Sequence, residues 1–498
     1  MSGAEPLVEE LDPLVDPLDA CARCADLPFL LLLDSAADPG QLGRFSFLSA
    51  DPATAIRSKG ALTQRLVTGG PGEWVRVDAD PLTATRALLA PHAAAPVAGL
   101  PPFQGGAAGY IGYDWGARLE RVPRARHDDL AVPDVMLGLY DWVIAGDHQA
   151  ERAWLISTGI PEAGPARHRR AAERLAFVKQ RLAVGVARAA RPPAQPAATT
   201  NESLRDRPRA PSYPVLLPDV PEAERIGLRS NFTREDYLRA VARVVAYIHA
   251  GDIFQANLSQ RFEAPLAEPP LALYRRLRRV NPAPFAAYLD FGDVVIASSS
   301  PERFLRVDCA GRVEARPIKG TRPRGASPEH DAALALALTE SEKDRAENVM
   351  IVDLLRNDLS RVCRPGTVRV PELFALEQYA TVHHLVSTVV GELEAGRDAV
   401  DLLRAAFPGG SITGAPKVRA MQIIAELEPT QRAVYCGSIG YLGVTGALDA
   451  SIVIRTYLAL GGVVYFQAGG GIVADSDPDQ EYRETLDKAR ALIAALTP

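Results

Sequence analysis

Residues 233–251 carry the clearest helical pattern in the chain. Tyr237, Val241, Val244, Val245 and Ile248 recur at helical spacing. Thr233 is a good N-cap, Glu235 and Asp236 suit the positive end of the helix dipole, and Gly251 supplies the stop. The period then changes to two. Over residues 253–262, Gln255, Asn257, Ser259 and Arg261 fall on one strand face and Phe254, Ala256, Leu258 and Phe262 on the other. A polar strand face is ordinarily solvated, although the same face could line a polar cavity.

Elsewhere the pattern is shorter-ranged. Up to about residue 190, short apolar strands alternate with Gly and Pro turns, as at residues 29–33 and 44–48. Glycines at 105, 106, 109 and 112 suit a strand packed closely against another layer, and lack the strand-to-helix grammar of a phosphate loop. Residues 165–188 predict a helix that starts on Pro165. Residues 451–457 and 463–468 read as strands, the second followed by Gly469, Gly470 and Gly471, whose amides could approach an anionic ligand. Two helices carry acidic faces. Glu340, Asp344 and Glu347 share one side of residues 340–355, and Glu481, Glu484 and Lys488 share one side of the last helix.

Helices and strands arrive in blocks and not in strict alternation. That predicts an α+β fold with large mixed or antiparallel sheets, not a Rossmann arrangement. Three regions follow: residues 1–190, a Pro/Ala/Arg-rich linker or surface excursion at 191–230 that lacks periodicity, and residues 231–498.

Composition narrows the functional classes. The chain has 498 residues, 47% apolar and 23% charged, which is ordinary for a soluble globular protein. A net charge of -6 leaves no basic surplus for phosphate backbones, which argues against nucleic-acid binding. The first residues are acidic and unlike a signal peptide, and no apolar run is long enough to span a bilayer, so a cytoplasmic location is expected. Cys21 and Cys24 have the spacing of a redox pair or half a zinc site. With no second such pair, they read better as small, partly buried residues on a helix.

Candidate chemistry centres on Lys319. It lies in a run punctuated by Pro317, Gly320, Pro323 and Gly325, where the backbone is constrained. A lysine held in a constrained turn and desolvated can lose its proton and become a nucleophile. Carboxylates from two helices could hold Mg2+, which takes few protein oxygens and keeps positions for water and an anionic ligand. Arg303, His384, Ser411, Thr413, Lys417, Tyr435 and Arg455 lie near turns. Arg455, on the β-patterned run, is either an edge residue or a bidentate carboxylate clamp. Together these groups describe a pocket for a small polycarboxylate.

These residues fall in runs that resemble a known family. Residues 300–304 (Ser-Pro-Glu-Arg-Phe), the Pro-Ile-Lys-Gly-Thr-Arg-Pro-Arg-Gly run at 317–325, and residues 347–358, 411–417 and 467–484 are similar to chorismate-utilising enzymes. The family includes anthranilate, aminodeoxychorismate, isochorismate and salicylate synthases. The resemblance covers residues 233–496 in order, and more weakly residues 31–35 and 105–114. It implies the fold of anthranilate synthase component I, with sheets packed together and helices outside.

Two positions sort the reactions within that family. Members that add water carry a lysine where this chain has Gln255, a poor base. Anthranilate synthases typically read Pro-Ile-Ala-Gly-Thr where Lys319 stands here; the lysine form marks the aminodeoxychorismate synthase branch, of the transaminase class, which serves 4-aminobenzoate and folate biosynthesis. The resemblance thus implies Lys319 as nucleophile and Glu302 as general acid, with His384 and Thr413 against the substrate ring. It implies Glu347 and Glu484 as Mg2+ ligands with Glu481 close by. Tyr435, Arg455 and the amides of Gly470 and Gly471 would hold the enolpyruvyl carboxylate, and Lys488 would fix the acidic cluster.

Chorismate is the implied substrate. Ammonia would come from a separate glutamine amidotransferase subunit, since no glutaminase-like cysteine is present, and aromatisation to 4-aminobenzoate would need another enzyme. The alternative is an anthranilate synthase component I, which aminates at C2. Residues 281–285 (Asn-Pro-Ala-Pro-Phe) depart from one half of a tryptophan feedback site, while residues 32–35 resemble the other half, so a tryptophan site in the N-terminal region stays open. A silent binding subunit is a third reading, disfavoured by the intact acid, metal and nucleophile candidates.

Overall fold

In the computed structural model, which describes residues 5–12, 14–36, 42–67, 72–183, 219–379 and 382–497, the strands gather into two twelve-stranded sheets. Neighbouring strands run antiparallel, as the expected α+β class allows. Leu30–Asp34 pairs with Phe285–Asp290 in one sheet, and Gly106–Ile111 with Ser438–Gly443 in the other. Both examples join an early strand to a late one. Regions 1–190 and 231–498 therefore each supply one contiguous block of strands to both sheets and meet at these two pairings.

The sheets pack face to face. Leu31, Ala287 and Ile296 from the first meet Ala108, Tyr110 and Tyr441 from the second in one buried cluster. Burying a side chain the size of Leu31 or Ile296 contributes about 1.5–3 kcal/mol. Helices cover the outer faces: Glu342–Ser360 and Ala399–Ala406 on the second sheet, Pro270–Val280 and Pro478–Leu496 on the first. The glycine run behaves as its spacing predicts. Gly109 has a φ of +150°, and a Cβ there would stand 2.1 Å from the Met136 carbonyl oxygen.

Several boundaries differ from the sequence pattern. The helix expected at 165–188 occupies Gly164–Ala183, and residues 184–190 lie outside the described residues. Most of the 191–230 excursion also lies outside them, but its end does not. Arg229–Ser230 forms a short strand on Gln255–Pro265. The helix Arg234–His249 starts as expected, with Thr233 Oγ1 accepting from the Asp236 amide at 3.0 Å, a cap worth about 1 kcal/mol.

Glu340 is not on the acidic helix. It closes the preceding helix, Pro328–Thr339, and Ser341 caps the next, Glu342–Ser360. The run 451–457 is not one strand either. Leu448–Ile452 belongs to one sheet and Thr456–Leu460 to the other, and Arg455, with φ +52°, sits in the crossing between them. Cys21 lies in the helix Pro17–Arg23 and Cys24 closes it; both are fully buried, and burial raises the Cys24 thiol to about 11.

Candidate active site

Two of the places where the chain crosses between the sheets are adjacent, and the candidate site forms there. One crossing runs from Val295–Ser300 to Arg303–Val307 and carries Glu302; the other carries Arg455. Hydrogen bonds lock them together. The Ile452 amide donates to the Glu302 carbonyl at 3.0 Å, and the Ser299 amide to the Arg455 carbonyl at 3.1 Å.

Lys319 comes from the strand Ile318–Pro323, not from a tight turn. Its pairing with Val382–Glu392 breaks register between Ile318 and Thr321, so Lys319 and Gly320 leave the ladder. Such an irregularity re-aims a side chain. Gly320 has φ +89°, and a Cβ there would stand 2.8 Å from Leu338 Cδ1, so the position demands glycine. Lys319 Nζ donates to the Ser411 carbonyl at 3.1 Å, while Ser411 Oγ donates to Glu302 Oε1 at 2.7 Å. One loop residue therefore touches both the amine and the acid.

Their electrostatics move toward each other. Desolvation pushes the Lys319 pKa below its ordinary value, against the pull of Glu347 and Glu302. Burial raises the Glu302 carboxyl above the usual range, outweighing the Ser411 hydroxyl and the Lys319 charge. A lysine that sheds its proton easily faces a carboxyl that holds one.

The acidic cluster lies on the same side. Glu481 and Glu484 flank Gly470, where a Cβ would stand 3.0 Å from Glu481 Oε2 and 3.3 Å from Glu484 Oε1. Lys488 Nζ bridges Glu484 Oε1 at 2.6 Å and the Gly469 carbonyl at 3.0 Å. Burial raises the carboxyls of Glu347 and Glu481, and the charge of Glu484 adds to both shifts. Among the described residues, no three His, Cys, Asp or Glu side chains are gathered closely enough to hold a metal alone. Carboxylates whose charge burial penalises, beside a glycine-lined floor, fit Mg2+, which is content with one or two of them plus ligand oxygens.

Gly469, Gly470 and Gly471 do not follow a strand; they lie within one, Val463–Ile472, paired with Gln255–Pro265. The pairing with Thr456–Leu460 stops at Phe466, which leaves the glycine edge open on that side. Gln255 lies over Gly471, and the polar face of its strand is buried, not solvated. Gln255 Oε1 and Asn257 Oδ1 are buried without a hydrogen-bond partner. Such orphans are costly unless a ligand completes them.

His384 pairs through Nδ1 with Thr321 Oγ1 at 2.9 Å, and burial together with Arg455 and His383 lowers its pKa to about 4, so the ring is neutral. Tyr435 is buried, and its field reaches Arg455. The Arg455 guanidinium has no hydrogen-bond or ion-pair partner among the described residues, as an anion clamp would require. Thr413 is fully buried and its hydroxyl donates to the Gly409 carbonyl at 2.9 Å, so it shapes the loop that carries Ser411.

Two residues of the expected pocket lie elsewhere. Lys417 is buried against Asp358 at 2.7 Å and the Ala406 carbonyl at 2.8 Å. Arg303 pairs with Asp449 and Glu314 beneath a separate cavity of about 270 Å³, which Ser35 and Phe285 also line. Sequence reading missed Lys343, whose charge bears on Glu347, Glu481 and Glu484. Its place four residues before Glu347 was the available signal.

The chain as a whole is similar to known proteins. Residues 32–494 match the chorismate binding enzyme family. The chain is 43% identical over 479 residues to aminodeoxychorismate synthase component 1 of Klebsiella aerogenes, covering 94% of each. It is 42% identical over 494 residues to anthranilate synthase component 1 of Thermus thermophilus, covering 98% of this chain and 96% of that one. Its fold matches the crystal structure of anthranilate synthase component I from Streptococcus pneumoniae with a TM-score of 0.73 and 31% identity, over 90% of this chain and 92% of the other. Overall identity barely separates the two kinds of relative, but it places the family beyond the motifs alone: this chain belongs to the chorismate binding enzymes.

Proposed function

We propose that the protein aminates chorismate at C4, giving 4-amino-4-deoxychorismate, as a component I that takes ammonia from a glutaminase partner. The observation that carries this reading is Lys319, a lysine with a depressed pKa, joined to Glu302 through Ser411. An alanine at that position, as in the anthranilate synthase pattern, would offer no nucleophile.

The steps balance. The neutral Lys319 amine attacks C2, both double bonds of the ring diene shift round the ring toward C4, and the C4 hydroxyl departs as water with the proton of Glu302. Ammonia then attacks C4, both double bonds shift back, and the Lys319 amine leaves C2. Two allylic transpositions put the new amine at C4. Mg2+, when bound by Glu347 and Glu484 with Glu481 close by, would neutralise the ring carboxylate. Arg455, Tyr435 and the amides at Gly470 and Gly471 hold the enolpyruvyl carboxylate, and Lys488 fixes Glu484. Neutral His384 lies along the ring without competing for the carboxylates. Gln255 has no basic nitrogen to activate water, which favours ammonia.

The cysteines support an outside source of ammonia. Four are buried, and burial raises their thiols, Cys363 to about 11 and Cys436 to about 12 among them, which is the opposite of an activated nucleophile. A cytoplasmic location fits a free substrate of this kind, and no described helix is long and apolar enough to cross a membrane. If tryptophan binds in the N-terminal region, the cavity lined by Ser35 and Phe285 is where it would fit.

The test is product identification with chorismate, Mg2+ and ammonium. 4-Amino-4-deoxychorismate is expected; fluorescent anthranilate would overturn the reading in favour of the C2 reaction.

A further inference from the structure

Behind the Ser411 loop lies a buried ion pair that the chemistry above does not use. Arg432 and Glu428 are 2% and 3% exposed. Arg432 Nε donates to Glu428 Oε2 at 2.8 Å, and Nη2 donates to Glu428 Oε1 at 2.7 Å. Nη2 also donates to the Asn257 carbonyl at 2.7 Å, and Nη1 to the Ile412 carbonyl at 3.1 Å. Ile412 follows Ser411, and Asn257 shares its strand face with Gln255. Glu428 Oε1 in turn accepts from the Ser259 amide at 2.8 Å and its hydroxyl at 2.9 Å. One planar guanidinium thus ties the loop that holds Lys319 and Glu302 to the strand that carries Gln255.

The glycine-rich run at 103–114 reaches the same point. The Tyr113 ring lies 4.6 Å from the guanidinium, and Asp114 accepts from the Ala433 amide at 2.7 Å. Gly112 allows that approach, since a Cβ there would stand 2.7 Å from the Ala433 carbonyl oxygen. Apolar replacements of buried ion pairs are often neutral or stabilising, so stability alone is a weak reason for this one. A guanidinium supplies what apolar groups cannot, a rigid fork with fixed directions.

We propose that Arg432, held by Glu428 and covered by Tyr113, is a positioning residue: it sets the Ser411 loop against the Gln255 strand and so places Lys319 and Glu302 against the substrate ring. The proposal rests on the reading of Lys319 and Glu302 as the reacting pair. It gives the N-terminal part of the chain a role in the chemistry through Tyr113 and Asp114.

Arg432→Lys keeps the charge beside Glu428 and loses the fork. Chorismate consumption under saturating ammonium should show kcat lower by about tenfold or more, with KM within about twofold of the parent. Tyr113→Leu, which leaves the ion pair intact, should show the same split at smaller size and serves if Arg432→Lys does not fold. A folded variant with unchanged kcat, or one in which only KM rises, would overturn the proposal. Product identity is read separately, so anthranilate from the parent would sink the proposed function while the kcat split still judged Arg432.

Discussion

Gln255 lies so close over Gly471 that a Cβ at that glycine would stand 1.8 Å from Gln255 Nε2. The clash falls on the end of a flexible side chain, so Gly471→Ala should move Gln255 and leave the strand in place. Stability should change by less than about 1 kcal/mol, while kcat/KM for chorismate falls about tenfold or more. Steady-state kinetics beside a urea titration would check both; an unchanged kcat/KM would remove Gln255 from the substrate pocket.

Lys319 must be neutral to attack, and desolvation holds its pKa below the ordinary 10.5. Its limb in the pH–rate profile should rise with pH and reach its midpoint below 10.5. Lys319→Ala should erase that limb and lower kcat by about a hundredfold or more.

The same depression has a stability consequence. Below pH 10.5 the unfolded chain binds a proton that the buried lysine resists, so the folded state is penalised as pH falls from there. Lys319→Met should therefore be more resistant to urea than the parent near neutral pH, with the gain shrinking as pH approaches 10.5. A variant that unfolds more easily at neutral pH would show that the lysine is not strained.

Asp358 behaves oppositely because its raised group is an acid. Burial lifts its carboxyl to about 6 despite Lys417, so its contribution is fully present below about 3.8 and is lost as pH rises through about 6. Lys417→Met removes the partner and leaves a buried charge, at a cost of about 3–5 kcal/mol near pH 8. Urea midpoints should recover toward the parent near pH 5, where the carboxyl takes up a proton. A pH-independent loss would place the damage in packing.

Chelation should abolish chorismate consumption, and added Mg2+ should restore it. Glu347→Gln should raise the Mg2+ concentration needed for half-maximal rate by about tenfold or more, since one carboxylate of few is lost. Full activity in the presence of chelator would dismiss the metal role of Glu347 and Glu484.

The sequence by itself determined much of this protein. Period-two and helical spacing located Gln255, the Thr233 cap and the acidic face of the last helix, because those signals are local and each element buries one side. The family resemblance pointed to Lys319, Glu302 and Glu484 as candidates, because a motif marks residue type at a given position. What only the tertiary structure decided were the relations between distant segments. The break in the strand that turns Lys319 out, and Ser411 lying between amine and acid, depend on pairings far apart in the chain. Arg455 looked like part of a strand because β-branched neighbours read the same on either side of a sheet crossing. Arg303 and Lys417 looked like site residues because a sequence shows a charge but not its partner; Asp449 and Asp358, brought up by the fold, claim them elsewhere. Arg432 gave no signal, since a lone arginine near a proline is ordinary until three backbone and side-chain acceptors close around it.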